Sequence, residues 1–183
     1  MASVLVPLAQ GCEELEAVTI IDLMVRAEID VVSAGLQDGP VRCSRGVVIT
    51  PDTDLDMALQ RDYDMIVLPG GLAGADRLNN DLRIQALIKR MHESDQYIAA
   101  ICAAPKVLAS AGLLEHKQAT SYPGIMDNMD IAGFKYQQNS VVADGRIITS
   151  RGPGTAMDFA LYLIELLTGA EKRQQVESAL QRQ

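Results

Sequence analysis

The stretch that most restricts the fold runs from Tyr97 to Ala109, where the apolar segment Tyr97-Ile-Ala-Ala-Ile101 meets Cys102 and then Ala104-Pro105. A short apolar run, bounded upstream by Glu93-Ser94-Asp95-Gln96, reads as a strand buried on both faces, the habit of parallel sheets covered by helices. Proline is tolerated at the first helical position and pre-sets its φ, so Ala104-Pro105 predicts a helix start. Cys102 then falls on the strand-to-helix turn, facing free N–H groups and the positive end of a helix dipole. A thiol placed there is expected to ionise below the reference value of about 8.5. The competing reading is a small buried cysteine that only fills space.

The rest of the chain repeats the same alternation. Ser3 to Leu8 reads as a buried strand, Glu13 to Ala27 as an amphipathic helix and Asp30 to Ala34 as a second strand, together one right-handed βαβ unit. Val41–Ser44 and Val47–Thr50 around Arg45-Gly46 predict a small hairpin, and Leu55 to Leu59 a short helix. Tyr63 to Pro69 predicts a third major strand, ending at Gly70-Gly71, and Leu82 to His92 a helix. Beyond the Cys102 helix, Ala119–Tyr122 reads as a short strand and Pro123–Ile131 as a helix. Asp144-Gly145 is a hairpin turn between Ser140–Ala143 and Arg146–Ser150. Thr155 is placed as the N-cap of a helix to Leu167, and Ala170 to Leu180 as a polar terminal helix. No internal repeat or linker interrupts the 183 residues, so the expectation is one domain over 1–183: α/β, a mostly parallel central sheet with helices on both faces.

In such open sheets, ligands sit beyond the carboxyl ends of the strands. The residues there are Cys12 and its following glutamates, Gly70-Gly71, Cys102-Ala103, Tyr122 and Arg151-Gly152. Gly71 and Ala103 N–H read as donors for an oxyanion forming on a substrate carbonyl, with a plain tight turn as the alternative for the glycines. Helical spacing puts Glu13 and Glu16 on one face with Glu14 turned away. One of them, desolvated beside Cys102, would have a raised pKa and move a proton; otherwise all three are a solvated acidic first turn. Arg26, Arg45 and Arg151 could orient a carboxylate or phosphate, or serve surface ion pairs.

Composition narrows the function classes. A net charge of −8 argues against stable binding to nucleic acid or anionic membranes. No apolar run approaches the roughly 18 residues of a membrane span, and the N-terminus lacks a secretory pattern, so a cytoplasmic protein is expected. Cys12, Cys43 and Cys102 are odd in number and lack metal-ligand spacing, which argues against a disulfide framework or structural metal. Neither the G-x-G-x-x-G fingerprint nor a Walker A sequence is present.

Five segments resemble the ThiJ/PfpI superfamily, in the branch that holds the parkinsonism-associated protein deglycase and bacterial YajL: Gly11-Cys-Glu-Glu-Leu-Glu16, Val41-Arg-Cys-Ser-Arg45, Ile66-Val-Leu-Pro-Gly-Gly71, Ala99-Ala-Ile-Cys-Ala-Ala-Pro105 and Thr149-Ser-Arg-Gly-Pro-Gly-Thr155. The resemblance spans the chain in register and implies a flavodoxin-like three-layer sandwich and a homodimer. It implies that Cys102 is the nucleophile and redox-sensitive thiol, that Glu16 is a protonated acid bonded to its sulfur, and that Gly71 and Ala103 are the backbone donors. Arg26, Arg45 and Arg151 match arginines near the site and dimer interface. The superfamily's proteases carry a histidine where Ala103 stands, so proteolysis is not implied. In the human branch a histidine occupies the place of Tyr122, and Cys12 stands where that branch has alanine; Cys12 is read as packing or as a resolving thiol for Cys102.

The activity implied is a cysteine-dependent deglycase or glyoxalase without metal or organic cofactor, acting on methylglyoxal, glyoxal and their early adducts on side chains and nucleotides, and releasing lactate or glycolate. A redox sensor and chaperone working through Cys102 oxidation is the second reading. A thiamine-pathway enzyme ranks last, since nothing marks a thiazole or pyrophosphate site.

Overall fold

In the computed structural model, which describes residues 1–182, the chain opens with β1 (Ser3–Leu8), α1 (Glu14–Arg26) and β2 (Asp30–Gly35). β1 and β2 run parallel from Ser3 opposite Asp30 to Leu8 opposite Gly35. A small antiparallel hairpin follows, β3 (Val41–Arg42) and β4 (Val48–Ile49). Next come β5 (Thr53–Asp54), α2 (Leu55–Ala58), β6 (Met65–Leu68), α3 (Leu72–Asn80), α4 (Leu82–Glu93), β7 (Tyr97–Ile101) and α5 (Pro105–Ser110). β8 (Gln118–Ala119) pairs with β9 (Lys135–Tyr136), and β10 (Val141–Asp144) with β11 (Ile147–Ser150) in an antiparallel hairpin. A 3₁₀ turn at Pro153–Thr155 leads into α6 (Ala156–Thr168) and α7 (Ala170–Ala179).

The main sheet has the order β10-β11-β7-β6-β1-β2-β5, parallel except for the β10 edge. Alternation along each strand sends side chains to opposite faces. Val4, Val6, Leu8, Val67, Ala99 and Ile101 join one core with Ile20, Met24, Phe159 and Leu163 of α1 and α6. Leu5, Ile66, Leu68, Ile98 and Ala100 join the other with Ile84 and Ile88 of α4 and Val107 and Leu108 of α5. Each fully buried Leu, Ile or Phe contributes roughly 1.5–3 kcal/mol. Both faces of β1, β6 and β7 are thereby covered, as the unbroken apolar runs predicted.

Three expectations need correction. Residues 123–131 form successive turns rather than a helix: Pro123 and Gly124, the latter at φ 87°, break the backbone at its start. α3 has no counterpart in the sequence reading, because Leu72-Ala-Gly-Ala-Asp-Arg-Leu offers a weak apolar stripe and a central glycine. Thr155 does not cap α6 with its side chain; its Oγ1 instead bonds Gly152 and Ser150.

Candidate active site

β7 delivers Cys102 to the carboxyl edge of the sheet in a backbone conformation that non-glycine residues rarely adopt, φ 64°. Holding such a residue costs on the order of 1–3 kcal/mol, so the neighbouring structure must enforce it. It does so on both sides of the peptide. Cys102 N–H donates to the Ser150 carbonyl of β11 at 3.0 Å, and Tyr122 N–H donates to the Cys102 carbonyl at 2.8 Å. Ala104 N–H closes back on the Ile101 carbonyl at 3.0 Å, and Pro105 then starts α5 as its sequence predicted. The result is a sharp elbow that sets the sulfur near the N–H groups of Gly71 and Ala103, which favour its thiolate form.

The Gly70-Gly71 turn comes this close because it lacks side chains. A Cβ on Gly70 would stand 2.6 Å from Cys102 Cβ and 2.6 Å from Glu16 Oε2. Gly71, at φ 82°, sits against the Gly11 carbonyl and the backbone of Cys12 and Glu13. The three glutamates that follow separate into different tasks. Glu13 accepts from the Ser44 hydroxyl at 2.7 Å and lines the cleft. Glu14 turns to the hairpin, accepting from Ser44 Oγ at 3.0 Å and Arg45 N–H at 2.8 Å. Glu16 is fully buried beside Cys102; its Oε2 accepts from Gly70 N–H at 2.8 Å, while Oε1 has no partner among the described residues.

Burial pushes the Glu16 carboxyl up to about 7, against the pull of the Gly70 N–H and the Cys102 contact, with the Glu13 charge adding to the rise. Burial, and next the Glu16 charge, push the Cys102 thiol up to about 12, against the Gly71 and Ala103 N–H groups. This corrects the expectation of a thiol acidified by the helix. α5 is six residues long and the sulfur is enclosed, so desolvation outweighs the dipole. The two groups titrate as one unit. Above the first step the pair carries one negative charge and one proton. Moving that proton from sulfur to carboxyl makes a thiolate without changing the net charge.

The cleft in front of Cys102 has a volume of about 750 Å³ and is lined by Gly71, Ala103, Tyr122, Arg45 and Glu13 among others. The structure thus gathers most of the residues singled out from sequence, and leaves two out. Arg26 ends α1 at the far end of the helix from Glu16, exposed and paired with Asp22 at 2.7 Å. Arg151 turns its guanidinium to the Gln138 carbonyl at 3.2 Å and does not line the cleft. Cys12 is completely buried with its sulfur 3.5 Å from that of Cys43, and Cys43 lines the cleft. Sequence reasoning missed Arg42, Ser44 and Arg77 on the cleft wall; the hairpin signal around Arg45-Gly46 pointed to the first two, whereas Arg77 lies on the unforeseen α3.

An α/β sandwich with a buried cysteine on a strained strand-to-helix elbow, a glycine pair across from it and a buried glutamate beside it defines a class of cysteine-centred proteins. The chain belongs to the DJ-1/PfpI family, whose pattern matches residues 2–166. It is similar to the crystal structure of Drosophila melanogaster DJ-1beta, with a TM-score of 0.93 and 43% identity, covering 98% of this chain and 97% of that one. The oxidized form of Toxoplasma gondii DJ-1 aligns with a TM-score of 0.92 and 38% identity over 98% of both chains. A glutathione-independent glyoxalase of Caenorhabditis elegans, DJR-1.2, is 38% identical over 93% of this chain and 90% of its own length. These neighbours share the flavodoxin-like arrangement described above.

Proposed function

We propose that this protein is a cysteine-dependent glyoxalase or deglycase that acts on methylglyoxal, glyoxal and their early adducts, releases lactate or glycolate, and needs no metal or organic cofactor. The observation that carries the reading is the fully buried Glu16 carboxyl held by Gly70 N–H beside Cys102, where the Gly70-Gly71 turn closes on both and the cleft opens in front of the sulfur. The similarity to a glyoxalase that works independently of glutathione supports it.

In this mechanism Cys102 passes its proton to Glu16 and the thiolate adds to the aldehyde carbon of the 2-oxoaldehyde. The carbonyl electron pair moves to oxygen, and the Gly71 and Ala103 N–H groups shift from sulfur to that oxyanion, which takes up the Glu16 proton. Glu16, now a carboxylate, removes the proton from C1 to give an enediol and returns it at C2, while the C1 hydroxyl proton passes to the C2 oxygen, so the hemithioacetal becomes the thioester of a 2-hydroxy acid. Water attacks the thioester, Cys102 leaves as thiolate, and lactate is released. No histidine is required. Tyr122, exposed at the rim, serves as a hydrogen-bond donor rather than a base, in keeping with a reference pKa near 10.

Lactate from methylglyoxal, measured with the protein and with Cys102→Ser, tests the reading; equal lactate from both would overturn it. A second reading, a sensor whose Cys102 oxidises, is favoured by the similarity to an oxidized DJ-1 structure. Equal oxygen uptake from peroxide by the protein and by Cys102→Ser, read by intact mass, would sink that alternative. A homodimer completes the proposal: Leu15, Val18 and Val25 on α1 and Val47 and Val48 on the hairpin are apolar yet exposed.

A further inference from the structure

Three arginines stand around the cleft in front of Cys102: Arg42 and Arg45 from the β3–β4 hairpin, and Arg77 from α3. None forms an ion pair with a carboxylate among the described residues, whereas every other described arginine except Arg151 does. In a chain of net charge −8, carboxylates are abundant, so three uncompensated cations at one opening are a concentrated field in an otherwise acidic molecule. The Arg77 guanidinium is held by side-chain bonds, and Arg42 and Arg45 are anchored through their backbone. Arg77 Nη1 donates to the Gln10 and Ala73 carbonyls at 3.0 and 3.1 Å, which leaves the rest of its fork free. Gln10 Oε1 accepts from Arg42 N–H at 2.9 Å, and Glu14 fixes the Arg45 backbone. The acidic side chain on the same wall is Glu13, engaged with Ser44; Glu14 is turned into the hairpin and Glu16 is buried.

We infer that Arg42, Arg45 and Arg77 form an anion subsite, and that the substrate presented to Cys102 carries a carboxylate or phosphate at the end remote from its aldehyde. Guanidinium forks match both oxyanions bidentately. This deepens the proposed function by naming the substrate class of the same site. It rests on Cys102 being the reacting group, and makes neutral methylglyoxal a minimal substrate that leaves the subsite empty.

The test compares alkylation of Cys102 by iodoacetate, an anion, with alkylation by iodoacetamide, its neutral counterpart. In both reactions the sulfur bonds to the CH₂ carbon and iodide leaves, so a changed thiol pKa or cleft shape alters both rates and cancels in their ratio. The iodoacetate-to-iodoacetamide ratio is expected to exceed that of N-acetylcysteine, to fall as salt rises, and to drop about tenfold in the triple variant Arg42→Gln, Arg45→Gln, Arg77→Gln. Because Arg77 also ties down backbone carbonyls, Arg42→Gln alone is measured too, with an expected drop of about threefold. A ratio unchanged in both variants and insensitive to salt would overturn the subsite. Protection of Cys102 from iodoacetamide by methyl phosphate rather than propionate assigns the remote group as phosphate, and the reverse as carboxylate; protection by neither overturns the proposal. A lack of lactate formation would remove the proposed function and leave this ratio standing, so the two failures are distinguishable.

Discussion

The two ends of the parallel sheet are built on opposite terms. At the amino ends, polar groups are satisfied in pairs. Asp64 accepts from Ser3 N–H and Oγ at 2.8 and 3.1 Å, and Gln96 Nε2 donates to the Tyr63 carbonyl at 2.8 Å. Arg61 pairs with Asp30 while lying over Tyr63, and Arg146 pairs with Asp95 while lying over Tyr97. At the carboxyl ends the same strands stop at a strained cysteine and, among the described residues, at a buried carboxyl oxygen without a hydrogen-bond partner and cleft arginines without carboxylates. Single departures occur elsewhere, such as Asp95 at φ 54° and Arg173 Nε without a hydrogen-bond partner among the described residues, but only around Cys102 do they gather in one place, which is the signature of a site that the rest of the fold supports. Glu16 and Cys102 gain reactivity from the desolvation that makes them costly.

If that contrast is right, changes at the carboxyl end act on activity first. The largest effect is expected from Cys102→Ser, which removes the nucleophile: lactate formation should fall by about 10³-fold or more, with the Tm close to that of the unaltered protein. Gly70→Ala comes next. Its Cβ would press on Cys102 Cβ and the Ile101 carbonyl, which the elbow fixes, and on Glu16 Oε2, which burial and the Gly70 N–H hold in place. A loss of about 10²-fold in kcat/KM is expected, with reduced iodoacetamide labelling of Cys102 in the folded variant; unchanged turnover would show that the elbow tolerates displacement.

Glu16→Gln inverts the usual direction. The folded value of Glu16, about 7, lies above its reference of 4.5, so folding favours the protonated acid. Its contribution to stability is fully present below about 4.5 and is lost as pH rises through about 7. Glutamine keeps an acceptor for Gly70 N–H and does not ionise. The variant should therefore gain up to roughly 3 kcal/mol over the unaltered protein at pH 8.5 and nothing at pH 4.5, read by urea unfolding at both values. Its lactate activity should collapse, since no group is left to move the proton. Equal stability at both pH values would mean that Glu16 is not desolvated as the geometry indicates.

How much of this was legible beforehand follows the same division. β1, β6, β7 and the elbow at Cys102 could be read because buried parallel strands are continuous apolar runs and Pro105 marks a helix start. The glycine pair could be read as a place of close approach. The conformation of Cys102 could not, because φ 64° is imposed by Ser150 and Tyr122, which lie far along the chain. The direction of the thiol shift was misread for a related reason: a local dipole is visible in sequence, whereas enclosure by distant elements is not. Arg77 was missed with α3, whose packing rests on Gly74 against Cys12 rather than on an apolar stripe.

The smallest effect belongs to the amino end. Arg146 is exposed, bonds Asp95 through Nε and Nη2 at 3.2 and 3.1 Å, and covers the Tyr97 ring at 4.3 Å. Tyr97 is the first residue of the strand whose last residue precedes Cys102, so the substitution asks whether a disturbance travels along β7 to the elbow. Hydrogen bonds to β6 and β11 hold β7 in register from Tyr97 and Ile98 onward, and they do not depend on the Arg146 side chain. Exposed ion pairs contribute little, and salt screens them. Arg146→Ala is therefore expected to lower the Tm by about 2 °C or less and to leave both lactate formation and the iodoacetate-to-iodoacetamide ratio unchanged. A change in that ratio would mean that the two ends of the sheet are coupled, and that the paired charges at one end help hold the strained cysteine at the other.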